Sequence, residues 1–519
     1  QIPMTLSLPK SPLIIATLAL AATASTKAQT NIDLTISNDS AQHITGFGAA
    51  ALGTLMCPIT NDKIIEKAYG TDSPIGLNIL RMELTPNTIG NVTQPWDTPY
   101  DWHGYLPAVR MARSKGAIIY ACPWSPAPIY KTNGSASGGK NDEDDSKSVK
   151  GKLNEKGYKE LFSWFKTFAK YMKDNGAPVD IISLQNEPDW WVGYSGCLYS
   201  PQELHDLVAN YGSRFNNGMG VKLMGGEPLG YRNDYYEALL NDPQSRQYLS
   251  YISGHIYGAG TIDNMKKAAA LARKYNIESW MTEHSCEPAS DHGEPHYNAD
   301  NKRIYDTPVW SDELVFAEEL TQCMLAGINA YVYWYLYQRW GMIGDGEEVV
   351  SGGNKDGEIL PRGYVYSHFA KHLPGATRVL ASSKKAPSEN KAFQRTAYLK
   401  GDSIIIVTLN KSANPINIQM SLPFDVISGK TISSTSSTDL CKETEIDFIG
   451  PAKQVDVLIQ PQSVNTTIFR IDSPSTAIKE IPAENPRSAD DFIYNLRGER
   501  ITKATKGIYI QNGKKYIAR

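Results

Sequence analysis

The chain predicts an α/β fold, a (β/α)8 barrel with an antiparallel β-sandwich at its side and a small β-module at its C-terminus. Two observations carry this reading. Between residues 43 and 374, eight short apolar runs alternate with stretches whose apolar residues recur every three or four positions, the pattern of strand–helix units around a barrel. Beyond residue 375 the helical period disappears, and β-rich runs are broken by Asn, Pro and Ser clusters.

In chain order, residues 12–24 form a short apolar stretch behind Lys10, and Thr26-Lys27-Ala28 offers a small-residue cleavage site; with Met4 as the start, 1–28 reads as a secretory signal peptide. Residues 29–42 look extended and are expected to add a strand to the sandwich. Within the barrel, 43–374, the strands are expected at 43–49, 76–84, 117–124, 180–186, 222–227, 251–257, 278–283 and 330–337. Helices are expected at 58–69, 101–115, 154–175, 200–217, 233–249, 261–275, 310–327 and 362–373. Ser200-Pro201-Gln202-Glu203 opens one of them with an N-cap serine, a proline at the first helical position and a glutamate placed for a capping box. The sandwich occupies 375–472, with Ser403–Leu409 and Val455–Ile459 as its clearest strands. Residues 473–489 have the Ser, Pro, Ala and Glu content of a linker. Within 490–519, Asn512-Gly513 marks a hairpin between two short β runs. This tail resembles the C-terminal modules of exported Bacteroidetes proteins, some of which act as sorting signals.

Composition narrows the function. The net charge is −3 and no long basic stretch occurs, so neither nucleic acid nor an anionic membrane has an electrostatic partner here. No segment outside the leader is apolar enough to span a bilayer. Tyr (29) and Trp (10) outweigh Phe (12), a bias suited to stacking on sugar rings. The six cysteines, at 57, 122, 197, 286, 323 and 441, have no metal-ligand spacing; Cys122 and Cys323 lie in apolar runs and read as buried thiols. No cofactor or metal is expected, and the chain is expected to be a monomer.

The chemistry concentrates in two glutamates. Glu187 follows the apolar run of the fourth barrel strand and Glu283 ends the seventh. A carboxylate at a strand's C-terminal tip faces the barrel mouth, and two from these strands can approach to about 5 Å, the separation at which one carboxylate attacks an anomeric carbon directly. Pro188 cannot extend a ladder and stops the strand beside Glu187. Asn186 is placed to bond a sugar 2-hydroxyl, Trp124 and Trp334 to floor a sugar subsite, Tyr257 to donate to Glu283 and hold it ionised, and Arg81 to orient Glu283 or Asn186. Glu227 also ends a strand and reads as a structural carboxylate. Asn141–Asp145 reads as a solvated acidic loop. His284, His292 and His296 lie near the long 285–310 loop without metal-ligand spacing, and no cluster of carboxylate or histidine ligands across several strand ends is evident.

Leu184-Gln185-Asn186-Glu187-Pro188-Asp189 and Trp280-Met281-Thr282-Glu283-His284 resemble the two catalytic motifs of glycoside hydrolase family 30. The resemblance covers most of residues 40–470 and takes in Gly46–Ala49, Ile79–Met82, Pro123–Pro126, His255–Gly258 and Arg362–Tyr364. It implies a retaining double displacement on a plant polysaccharide, with Glu187 as acid/base and Glu283 as nucleophile. Trp-Met-Thr-Glu-His is most similar to the bacterial xylanase branch, which implies endo-cleavage of β-1,4-xylan by a secreted, periplasmic or cell-surface enzyme. Glucuronoxylan-specific members carry an arginine after the eighth strand. Here that position reads Gln338, with Arg339 one residue on and Trp340 where a tyrosine is expected, which puts strict glucuronate dependence in question. A β-1,6-glucanase of the same family and a non-catalytic glycan-binding surface protein are the alternatives; the intact glutamate pair argues against the second.

Overall fold

A computed structural model describes residues 30–52, 62–86, 102–215, 218–258, 260–286, 296–297, 303–304, 309–337, 340–346, 355–386, 391–472, 493–495, 500–501, 507–511 and 514–518. The chain opens on β1 (Thr30–His43), which belongs to the sandwich. The barrel strands are then β2 (Gly46–Ala50), β3 (Ile79–Glu83), β4 (Ile118–Cys122), β5 (Ile181–Ser183), β6 (Lys222–Met224), β7 (Leu249–His255) and β8 (Glu278–Glu283). A two-strand ribbon, β9 (His296–Tyr297) and β10 (Arg303–Ile304), precedes β11 (Ala330–Tyr333), whose parallel ladders to both β8 and β2 close the barrel. Between them run α1 (Asp62–Ala68), α2 (Leu106–Ser114), α3 (Glu155–Asp174), α4 (Pro201–Tyr211), α5 (Asn233–Asn241), α6 (Pro243–Arg246), α7 (Thr261–Lys274) and α8 (Trp310–Ala326); α9 (Pro361–Ala370) follows β11. No helix among the described residues is long and apolar enough to cross a membrane.

The barrel interior is filled by side chains: Ile79, Tyr120, Ile181, Met224, Trp280 and Val332 form a cluster inside the ring. A separate shell of apolar residues fills the space between strands and helices. α4 begins as its sequence dictates: Glu203 N–H donates to the Ser200 hydroxyl at 3.2 Å, and Ser200 N–H donates to the Glu203 carboxylate at 2.7 Å.

The sandwich holds β12 (Thr377–Ser382), β13 (Phe393–Lys400), β14 (Ser403–Asn410), β15 (Ile416–Ser434), β16 (Lys442–Ile446), β17 (Ala452–Ile459) and β18 (Ser463–Ile471). It is not wholly antiparallel. β1 pairs antiparallel with β12 and parallel with the first part of β15, while the rest of β15 pairs with β18 and β16, so the sheet runs round on itself. β15, nineteen residues long, pairs with β1 and β17 through its first part and with β18 and β16 through its second.

α8 and α9 carry the sandwich. Tyr398, Ile405, Val407, Leu409 and Val464 share one apolar core with the barrel helices. Buried His368 of α9 bonds the hydroxyls of Thr466 and Ser434, each at 2.9 Å. Burial pushes this imidazole down to about 3, so it acts as a neutral link. Gln394 donates to Glu318 of α8 at 2.7 Å. The C-terminal strands β19 (Ile493–Asn495), β20 (Arg500–Ile501), β21 (Gly507–Gln511) and β22 (Lys514–Ala518) make their own four-stranded antiparallel sheet. Among the described cysteines, 122, 197, 286 and 323 are buried, and none of these or Cys441 is in a disulfide.

Candidate active site

The C-terminal tips of β3, β4, β5, β6, β7 and β8 bring one cluster of polar side chains together. After Ser183 the fourth barrel strand leaves its regular ladder and threads between neighbours. Leu184 N–H donates to Met224 O (3.1 Å), Asn186 N–H to Pro123 O (2.9 Å) and Glu187 N–H to Glu227 O (3.0 Å). The ordered strand is therefore shorter than its apolar run. Glu187 has φ +44°, left-handed backbone that costs a non-glycine residue about 1 kcal/mol or more. Neighbouring strands on both sides and Pro188 hold it there. Glu283 reaches the mouth through an irregularity: Gly254 pairs with Met281 but His255 pairs with Glu283, and this bulge re-aims the end of β8.

Arg81, fully buried on β3, is the hub. Its Nη1 donates to Glu283 Oε2 at 2.5 Å, its Nη2 to Asn186 Oδ1 at 2.8 Å and to Glu227 Oε2 at 3.1 Å, and its Nε to the Tyr120 hydroxyl at 3.1 Å. Tyr120 in turn donates to Glu227 Oε1 at 2.5 Å. His255 bridges Glu187 and Glu227, with Nδ1 3.0 Å from the first and Nε2 3.1 Å from the second. Tyr257 donates its hydroxyl to Glu283 Oε1 at 3.1 Å, and its ring rests 5.0 Å from that of His284, which Glu319 holds through a 2.9 Å contact. Trp124 and Trp334 flank the guanidinium of Arg81, their ring centres 4.7 and 5.7 Å from it and 6.1 Å from each other. An oxygen of Glu187, a ring nitrogen of His255 and an oxygen of Glu283 lie within 4.8 Å of one another.

The electrostatics separate the carboxylates. Burial raises Glu187 above the ordinary glutamate range, and the negative field of Glu283 adds to this against the His255 hydrogen bond. Burial would raise Glu227 too, but Arg81 and His255 outweigh it and hold it far below. For His255, burial opposes charge, yet the Glu283 field and the bonds to Glu187 and Glu227 prevail and push it up to about 10. Glu187 therefore holds its proton more tightly than Glu227 does.

Of the sequence-predicted residues, Glu187, Glu283, Asn186, Arg81, Tyr257, Trp124 and Trp334 come together at this mouth. Trp340 is instead buried, its ring edge-on to Tyr335 at 6.1 Å. Gln338 and Arg339, and the 287–295 part of the loop that carries His292, lie outside the described residues. The expectation of no ligand cluster across the strand ends is corrected: Glu187, His255 and Glu283 have metal-ligand spacing. Both nitrogens of His255 are engaged by carboxylates, and its raised proton affinity opposes metal coordination. Sequence reasoning left His255 and Tyr120 without roles and treated Glu227 in isolation. Their signal was the inward side of three strand ends, which depends on a register that only the closed barrel sets.

Arg362 of α9 braces the mouth from behind. It pairs with Glu313 of α8 at 3.2 Å, donates to the Tyr333 hydroxyl at 2.8 Å and the Trp340 carbonyl at 3.4 Å, and also reaches the Cys286 carbonyl. The backbone after β8 and after β11 is thus tied to two helices through one buried cation.

No family model matches the chain. It is 26% identical over 411 residues to glucuronoxylanase XynC of Bacillus subtilis, covering 76% of this chain and 83% of that one. Among solved structures, the glycoside hydrolase family 30 subfamily 8 xylanase Xyn30A of Clostridium acetobutylicum superposes with a TM-score of 0.66 at 28% identity, over 84% of this chain and 99% of that one. A family 30 endoxylanase of Clostridium papyrosolvens C71 superposes with a TM-score of 0.64 at 23% identity, over 85% and 100%.

Proposed function

We propose that this chain, similar in sequence to a glucuronoxylanase and in sequence and fold to a glycoside hydrolase family 30 xylanase, is a retaining endo-β-1,4-xylanase in which Glu187 is the acid/base and Glu283 the nucleophile. The observation that carries the proposal is the approach of the two carboxylates to within 4.8 Å. Retaining enzymes hold the pair about 5–5.5 Å apart, whereas inverting enzymes leave roughly 6.5–9.5 Å for a water.

In the first step an oxygen of Glu283 bonds to the anomeric carbon while Glu187 passes its proton to the departing glycosidic oxygen. In the second, Glu187 as carboxylate takes a proton from water, whose oxygen displaces Glu283 and restores the β configuration. The raised affinity of Glu187 for its proton suits the first step. Arg81 and Tyr257, one on each oxygen, aim Glu283. Asn186, fixed through its Oδ1 by Arg81, presents its amide NH2 to a sugar 2-hydroxyl, a bond that tightens as the ring gains charge. Trp124 and Trp334 support the apolar face of the same sugar.

Glu283→Gln is expected to abolish turnover with the fold intact, whereas Glu187→Gln is expected to recover on azide addition or with a good leaving group. Equal, modest losses from both would overturn the assignment, as would an inverted first product by NMR. Reducing-sugar release from glucuronoxylan, arabinoxylan, plain xylan and β-1,6-glucan tests the substrate. Gln338 cannot neutralise a glucuronate, so discrimination between decorated and plain xylan is expected to be weak and to rise about 10- to 150-fold in Gln338→Arg. Exclusive cleavage beside glucuronate, lost in Arg339→Ala, would transfer that role to Arg339. We also propose export, on the 1–28 leader and the C-terminal module; fractionation of producing cells tests it.

A further inference from the structure

The barrel has a second concave surface, at the end away from the mouth. The starts of β6, β7 and β8 and the end of β1 enclose a cavity of about 520 Å³. That volume falls within the roughly 300–1,000 Å³ of small-molecule sites. Hydrogen bonds fix its walls. Asn329, just before β11, donates its amide NH2 to His43 O at 2.9 Å and accepts from Ser279 N–H at 3.0 Å, so β1 and β8 keep their spacing. Glu278 Oε2 accepts from the Thr45 hydroxyl at 2.7 Å and from the Trp280 indole at 2.8 Å. Tyr251 supplies an aromatic wall, its ring edge-on to that of Trp280 at 5.0 Å.

The charges around this cavity do not balance. Lys222 and Arg273 both line it, and neither forms an ion pair with a described residue. The Lys222 ammonium rests 5.7 Å from the centre of the Tyr251 ring. Arg273, in the last turn of α7, lies across Gly327 at the end of α8, where a Cβ would meet its Nη2 at 2.6 Å. That glycine makes room for the guanidinium. Behind them Arg378 donates its Nε to Gln42, another lining residue, at 2.8 Å. Burial above all, and the charge of Arg273 besides, loosen the hold of Arg378 on its proton. Against these cations the lining sets a single carboxylate, Glu278, with one oxygen already engaged. Cations left unpaired beside a cavity favour an anion within it. An inorganic anion would occupy a small part of this volume. A sugar acid fills more of it, packs its ring on Tyr251 and offers hydroxyls to Glu278.

We propose that this cavity is a second carbohydrate site, remote from the cleavage centre, which binds a sugar carboxylate. Lys222 and Arg273 hold the carboxylate, Tyr251 the ring and Glu278 a hydroxyl. The choice of glucuronate as that sugar acid rests on the xylanase reading above; the charge and the shape do not.

Calorimetric titration of the full chain with D-glucuronate, D-glucose and inorganic phosphate tests this, alongside turnover of unbranched xylohexaose. Glucuronate is expected to bind about 10-fold or more tightly than either control. Lys222→Ala and Arg273→Ala, both at exposed positions, are each expected to weaken it about 10-fold or more and to leave kcat/KM on xylohexaose unchanged. Glucuronate binding that survives in both variants belongs elsewhere and overturns the proposal. Equal affinity for phosphate would make this a simple anion site, and equal affinity for glucose would leave the cations without a part; either result overturns it. Turnover that falls together with binding would place the bound sugar in the mouth, which also overturns it. A chain that binds glucuronate here and cleaves no xylan overturns the xylanase reading and keeps the site. A chain that cleaves xylan and does not bind glucuronate overturns the site alone.

Discussion

At the scale of single residues, the site is a problem in charge placement. Arg81, Glu187, Glu227, His255 and Glu283 meet in a largely buried volume, and geometry assigns them opposite tasks. His255 is the one most open to test, because its proton is held to about pH 10 against 6.5 in an unfolded chain. A folded value raised in this way contributes stability that is complete below about pH 6.5 and fades as pH climbs towards 10. Urea midpoints at pH 6, 8 and 10 are expected to fall in the wild type and to fall less in His255→Gln. The same change removes a partner that lowers Glu187, so the alkaline limb of kcat/KM against pH is expected to move upward while the maximum drops roughly 10- to 100-fold. Glu187 and Glu283 were legible in the sequence because a strand-end carboxylate beside a proline or a histidine is a local pattern. His255 was not: it is one of nine histidines, and what sets it apart is that β7 turns it inward between two glutamates 40 residues apart in the chain.

Elements were legible where periodicity is strong. The long amphipathic α3 and α7 fall within a residue or so of their predicted bounds, because many apolar positions vote for one face. Strands β5 and β6 are three residues each, shorter than their apolar runs, since hydrogen bonding and not hydrophobicity ends them. The capping box of α4 supplies a measurable increment: Ser200→Ala is expected to cost about 1 kcal/mol by chemical denaturation. Arg362 supplies a larger one. Arg362→Met leaves Glu313 buried without its cation, and the expected loss is about 3–5 kcal/mol, with Glu313→Gln in the same background restoring part of it.

For the molecule as a whole, the interface between barrel and sandwich is a single apolar core stitched by His368 and Gln394. Calorimetry of the full chain is accordingly expected to show barrel and sandwich melting together. A chain ending at Asp472 should keep both activity and melting temperature, since β19–β22 complete their ladders among themselves. A drop of several degrees would make that module part of the catalytic unit. The sandwich was legible as β-rich, and β1 as extended. That β1 runs parallel to β15 was not, because the direction of a long-range pairing leaves no trace in the composition of either strand.

The pairing of β1 sets a timetable. Thr30 finds Ile416, and His43 finds Thr377, so β1, the first of the described strands, has no ladder until β12 and β15 have been made. At typical elongation rates that is roughly 20–80 s during which Ile32, Leu34 and Ile36 stay without the core they will fill. An N-terminal strand that has waited so long doubles as a clasp, because the sandwich can shut only once β12 and β15 have been made.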